Sequence, residues 1–251
     1  MIHVSRNTWL RGLSLVGFLV IWQVIALILN DPVVPGPDVV LASLWQHGVD
    51  GDLFYNLGVT LLRVLASFII AMFIGTAVGI IMGRYPRLDA SLDGVLVLGL
   101  NTPALVTIIL CYIWFGLTEV AAITAVALNK IPNTVVTVRE GARAVDRKLL
   151  EVADAFDLRP VLKLRKVYLP QLYPYLMAAA RSGLALIWKI VLVAELLGRS
   201  NGVGFELSTF FQFFDITSIL AYTLAFAGVV LLIEAVLMRP LDQRLNRWRT
   251  V

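Results

Sequence analysis

A few polar side chains of this sequence stand where hydrocarbon is expected, and their types limit the chemistry open to it. Arg63, Arg181, Lys189 and Glu195 lie inside long apolar runs, and Asn101 and Thr102 sit beside Pro103 in another. Ionisable groups so placed are costly and face a bundle interior, water or one another. Glu195 follows Lys189 by six residues. That puts it on another helical face, since an intrahelical ion pair needs a spacing of three or four. Arg63, one to two turns inside its run, either reaches out to the outer interface or lines a polar path. Arg181 has a similar pair of readings at the inner headgroups, and Lys189 is deeper. Pro103 removes a backbone hydrogen bond and kinks its helix, which leaves Asn101 and Thr102 at mid-membrane depth. Asn101, Thr102, Arg181, Lys189 and Arg63 are therefore the candidate lining of a path, and the cations among them favour an anion as its cargo.

Catalysis finds no support. None of the five lysines follows a glycine, so a phosphate-binding GxxxxGK[ST] loop cannot be formed. One cysteine, Cys111, excludes a CxxC pair, there is no HExxH, and His3 and His47 are the only histidines. A metal centre or a nucleophile–base pair is not expected, nor is a cofactor on this chain.

The elements that must hold these groups are membrane spans. Of 251 residues 59% are hydrophobic and 15% charged, and the mean hydropathy is +0.84, well outside the soluble range. The pI near 9.4 does not point to nucleic acid, because Lys and Arg sit in short loops and at span ends. With roughly 20 apolar residues per crossing, six spans are predicted at about 10–29, 57–83, 92–116, 119–138, 172–196 and 217–238. The first is read as retained, since Asn30-Asp31-Pro32 is no signal cleavage site. Segment 30–56 carries four aspartates and no Lys or Arg, whereas Arg84, Arg87, the 139–170 insert and the C-terminal arginines alternate with it. Both termini are then cytoplasmic. Asp38 is expected to cap a short amphipathic helix running to Trp45 on the outer surface. Ala71, Gly75, Gly79 and Gly83 make a stripe for close helix packing. After the fifth span, the glycine-rich GRSNGVGFELSTFF can make a tight re-entry or an outer gate.

The insert from Arg139 to Pro170 holds eight of the 21 Lys+Arg residues. A helix over Leu149–Leu158, interrupted at Arg159-Pro160, and a second short helix from Pro160 make a helix–turn–helix beneath the membrane, closed by Leu169-Pro170. Phe156 and Leu158 become apolar knobs ringed by charge, the look of a docking element. The other reading is an interfacial segment that binds anionic lipid through Lys163, Arg165 and Lys166.

Glu151-x-Ala153, three residues, Asp157, nine residues, Val167-x-Leu169-Pro170 resembles the EAA loop of permease subunits of bacterial ABC importers. The family pattern has Ala at 152, Gly at 157 and Ile at 167. Aspartate tolerates the left-handed backbone that glycine serves at such a turn. VPGPDVVLASLW, IWFGLTE, AELLGRSNGVGF and the basic C-terminal tail resemble the nitrate/sulfonate/taurine subfamily. The resemblance implies an all-α membrane protein with the six-helix type I importer fold, a single permease domain over 1–251, in the bacterial inner membrane. It further implies a permease dimer, a periplasmic substrate-binding protein, and a separate ATPase dimer that binds ATP and Mg. The ATPase contact would fall on Glu151, Ala153, Asp154, Phe156, Asp157, Leu158, Leu169 and Pro170. Nitrate, sulfonates, taurine or a related organic anion would be the substrate. A secondary transporter would instead show inverted repeats and a midplane carboxylate. No repeat is found, and Glu195 and Glu234 fall near span ends.

Overall fold

The structure, a computed structural model, describes residues 6–238 and 240, with only the backbone described for 6–12, 15, 237 and 238. His3 and most of the basic C-terminal tail, including Arg239, Arg244, Arg247 and Arg249, on which the orientation of the termini was read, lie outside the described residues.

The described chain is helical. In order come α1 (Arg6–Leu29), α2 (Pro37–Val49), α3 (Leu53–Arg84), α4 (Pro86–Asn101), α5 (Ala104–Phe115), α6 (Glu119–Arg143), α7 (Arg147–Ala155) and α8 (Pro160–Lys163). A π-helical turn, Leu164–Tyr168, leads into α9 (Leu169–Gly198), followed by α10 (Val203–Gln212) and α11 (Ile216–Ile233). Four stretches are long and apolar enough to cross a membrane: Leu53–Arg84, Glu119–Arg143, Pro160–Gly198 and Ile216–Val236. The pair α4 and α5 makes a fifth if it is counted as one broken span. The described apolar part of α1, Val16–Leu29, is shorter.

Three expectations are corrected here. The predicted span 92–116 is not a kinked helix but two helices bent by 97° at Thr102-Pro103. Pro103 has no N–H for the ladder, and its φ of −60° and ψ of 135° turn the chain out of the helix. Leu169-Pro170 does not close the insert, because the helix that begins at Pro160 continues through to Gly198. Pro160 supplies a ready-made first turn. The π-helical turn absorbs Pro170, with Leu169 N–H donating to the Leu164 carbonyl five residues back. Asp38, finally, is not a cap. Gly36 takes that position before Pro37, and α2 packs Val40 against the bundle while Trp45 stays exposed.

The centre of the bundle is the α3–α6 seam, made where the small-residue stripe predicts. A Cβ on Gly75 would lie 2.6 Å from Thr134 Cβ, one on Gly79 2.8 Å from Val138 Cβ, and one on Gly83 2.5 Å from Ala142 Cβ. No side chain fits between these backbones, and glycine at every fourth residue lets the two helices approach along about two and a half turns. α9 lies against α6 on the next side, and α5 covers both with Ile108 and Tyr112. The outer half of the core gathers Leu57, Val64, Val126, Ile187, Trp188 and Tyr222.

Candidate functional site

Three places on this frame bring functional side chains together. The first is the turn after α7. Asp146 caps α7 by accepting from the Lys148 N–H at 2.8 Å, and the Gln171 side chain accepts the Asp146 N–H at 2.8 Å, tying the helix to α9. At its other end Leu158 N–H donates to the Ala153 carbonyl and Asp157 N–H to the Asp154 carbonyl, both at 3.0 Å. This is the Schellman arrangement, which needs a left-handed residue at Asp157, and φ there is +49°. Lys163 closes the turn with contacts of 2.6 and 2.7 Å to Asp154. Phe156 is thereby thrust outward, 76% exposed, beside an apolar hollow of about 660 Å³ lined by Leu149, Val152, Leu158, Val167 and Pro170. Glu151 and Asp157 are exposed on the same element, Leu158 and Leu169 are partly covered, and Ala153 is only 2% exposed. Ala153, though nearly covered, forms part of the lining of the same hollow. Asp157→Gly should relieve the strain of a side chain in the left-handed region, about 1 kcal/mol. Amide exchange at Leu158 should then slow about fivefold, and a rate equal to or faster than that of the parent would refute this account of the turn.

The second group is a set of polar side chains on α4, α6 and α9. Asn101 and Thr102 end α4 by donating to the carbonyls of Val97 and Leu98, both at 2.8 Å, and stay open to the surface. Arg181 is exposed and meets Glu234 at 3.1 Å at the inner end. Lys189 is exposed on α9, two helical turns away, and has no hydrogen bond or ion pair among the described residues. α6 presents a polar row that sequence reasoning missed. Asn129, Asn133 and Thr137 repeat every four residues, each bonded back to the carbonyl four residues earlier. The spacing was readable, but alanines and valines around it hide the row in any averaged hydropathy.

The third place is the outer end, and it corrects the reading of Arg63. The residue is 3% exposed, so its guanidinium does not reach out to the interface. It forks onto Glu119 with Nε to Oε2 at 2.7 Å and Nη2 to Oε1 at 2.6 Å, and sends Nη1 to Glu195 Oε1 at 2.7 Å. Arg63 also donates to the Asn201 carbonyl at 2.9 Å and to its Oδ1 at 2.5 Å. Glu195, fully buried, accepts further bonds from Thr60 Oγ1 at 2.9 Å and Gly204 N–H at 2.8 Å. Asn56 accepts the Gly202 N–H at 2.7 Å, Thr60 the Val203 N–H at 2.9 Å, and Arg199 reaches Glu119 at 2.5 Å. Gly202, at φ +102°, brings its backbone so close that a Cβ would lie 2.6 Å from Arg63 Nη1. These bonds fasten α3, α6 and α9 to the loop that starts α10. Of the sequence-predicted path residues, Asn101, Arg181 and Lys189 are exposed, Thr102 is partly exposed, and Arg63 is buried in the ion cluster with Glu119 and Glu195. Glu119, Asn201, Thr60 and Asn56 were not singled out.

Residues 75–247 match the family described as "Binding-protein-dependent transport system inner membrane component". The chain belongs to this family. Among its relatives, the putative aliphatic sulfonates transport permease protein SsuC of Bacillus subtilis (strain 168) is 31% identical, over 98% of this chain and 90% of that protein. The taurine transport system permease protein TauC of Escherichia coli (strain K12) is 28% identical over 98% and 91%. The nitrate import permease protein NrtB of Synechococcus elongatus is 26% identical over 80% of each. The chain is thus a multi-pass ABC permease of the nitrate, sulfonate and taurine group. In fold it is similar to a chain of the inward-facing MetNI methionine ABC transporter, with a TM-score of 0.63 at 18% identity, over 74% of this permease and 92% of that chain.

Proposed function

We propose that this permease is the membrane-spanning subunit of an ATP-driven importer of small organic or inorganic oxyanions in the bacterial inner membrane. The observation that carries the coupling is Phe156, held out at the cytoplasmic end by the Schellman turn after α7, with a ready apolar hollow beside it. A large exposed aromatic on a rigid turn is the kind of anchor a partner protein grips. Movement at α7 passes directly into the membrane, since α8 and α9 form one continuous helix. A separate ATPase dimer supplies ATP and Mg and performs hydrolysis. A second permease copy covers the polar side chains of α4, α6 and α9, a periplasmic binding protein delivers the substrate, and membrane lipid surrounds the rest. Residues 1–251 act as one permease domain with six crossings.

The anion preference rests on Lys189, whose ammonium no carboxylate neutralises within the described chain, and on the sulfonate, taurine and nitrate names of the relatives. Uptake of labelled ethanesulfonate into vesicles carrying the permease, its neighbouring ATPase and its binding protein should require ATP. Lys189→Ala should lower that uptake about tenfold or more, the loss of one charge-assisted contact of ~1.5 kcal/mol. Uptake without ATP would end the importer reading, and an unchanged Lys189→Ala rate would remove Lys189 from the path.

A further inference from the structure

Three of the stretches long enough to cross a membrane have an end at one cleft. Leu53–Arg84 and Glu119–Arg143 finish there, and Pro160–Gly198 starts there. The root of the cleft is the last contact of the glycine stripe. Because a Cβ on Gly83 would lie 2.5 Å from Ala142 Cβ, α3 and α6 close onto each other at that level. The next residue of each helix, Arg84 and Arg143, then opens onto the same space. α7 and α8 form the other wall with Arg147, Glu151, Asp154 and Lys163. The space is about 790 Å³, the size of a site for a whole small organic group.

The charges on its walls are unevenly answered. Asp89 is held by Arg143 and, at 3.2 Å, by Arg139, and Asp154 is held by Lys163 at 2.6 Å. Arg84 and Arg147 are exposed and have no hydrogen bond or ion pair among the described residues. Glu151 has none either, although it follows Arg147 by one helical turn. Basic before acidic is the weaker order for such a pair. Two cations against one carboxylate leave a single net positive charge. That matches a singly charged anion, and guanidinium forks suit the oxygens of a phosphate. Glu151 repels a second negative charge and can accept a hydroxyl hydrogen from the same headgroup.

The surroundings favour a lipid over a free ion. Span ends lie at headgroup depth, and Tyr85, half exposed with the Arg84 guanidinium 5.8 Å above its ring, is the kind of aromatic found at that level. Leu164 on the cleft wall and Leu88 beside Asp89 on α4 are exposed hydrocarbon next to the charges. Basic pockets between spanning helices are where anionic lipid headgroups are held. α7 turns Leu149, Val152 and Ala153 the opposite way, toward the hollow beside Phe156, so a lipid in the cleft leaves that hollow open.

We propose that this cleft holds the phosphate of a singly charged anionic phospholipid between Arg84 and Arg147. The intact permease, with any subunits that co-purify, would be released from bilayers of phosphatidylglycerol and phosphatidylethanolamine in equal parts, and its bound lipids identified by native mass spectrometry. Phosphatidylglycerol should be enriched over phosphatidylethanolamine about fivefold, the effect of one net charge at a membrane surface. Arg84→Gln and Arg147→Gln should each remove most of that enrichment. Both side chains are exposed and unbonded, so neither change should disturb the fold. Arg87→Gln, which alters an exposed arginine of α4 outside the cleft, should leave the enrichment as it is. Equal retention of the two lipids by the parent would overturn the site. So would a loss in Arg87→Gln as large as in Arg84→Gln, which would reduce it to general surface attraction. Release of phosphatidylglycerol by millimolar inorganic phosphate would overturn the lipid as occupant and assign the cleft to the free ion, whereas persistence supports the lipid. None of these readouts needs ATP or uptake, so a negative result leaves the importer reading standing.

Discussion

Truncating Phe156 to alanine is expected to release the ATPase and stop uptake without disturbing the fold of the permease. The ring is 76% exposed and lies outside every buried cluster, so its removal costs the isolated chain little. In a complex the same ring would fill a pocket, and an aromatic anchor of that kind accounts for 2 kcal/mol or more, about 30-fold or more in affinity. Co-purification of the ATPase should fall accordingly, and ATP-dependent uptake with it, while the melting temperature of the permease alone stays put. Trp45, equally exposed but on the helix after the first loop, is the control. Trp45→Ala should leave the ATPase bound. Retention of the ATPase by Phe156→Ala would show that the knob is not the grip, and loss with Trp45→Ala would show general damage.

What the sequence revealed about this region followed from the range of the forces. The turn at Asp157 is made by bonds spanning three and five residues, yet helix-forming residues read on through to Leu158, and only the resemblance, with its glycine at 157, pointed to a left-handed residue there. The glycine stripe on α3 needed only a period of four, although its partner helix did not follow from it. Where prolines were concerned, local rules overreached. Pro170 reads as a boundary, yet a π-helical turn carries the helix past it, and Pro103 reads as a kink, yet the chain turns by 97°. How far a helix bends after losing a bond depends on what packs around it, and that is absent from the local string. The outer cluster was illegible for a different reason. Arg63 meets Glu119 and Glu195 across 56 and 132 residues, and only the order of helices in the bundle decides that all three converge. An arginine near a span end then reads as one that reaches for water, because its partners are invisible.

That convergence makes Arg63→Ala the most damaging single change expected in this permease. Removing one partner from a buried ion pair costs about 3–5 kcal/mol, because the remaining charge stays buried without compensation. Here Glu195 is fully buried and keeps only the Thr60 hydroxyl and the Gly204 N–H. Glu119, half exposed and still held by Arg199, is left far better off. The strain therefore falls on Glu195 and on the loop from Asn201 to Gly204 that starts α10. A loss of 3–5 kcal/mol corresponds to a fall of ~6–20 °C in melting temperature for a chain of this size. Arg63→Lys should recover only part of it, since an ammonium cannot fork onto Glu119 while also reaching Glu195 and Asn201. The decisive comparison is the double change Arg63→Met with Glu195→Leu, which removes both charges and should restore much of the lost stability. If the double variant restores stability but uptake stays low, the bonds to Asn201 and the α10 loop serve transport as well as folding. If Arg63→Ala melts within 2 °C of the parent, the buried pair is not what holds the outer end together.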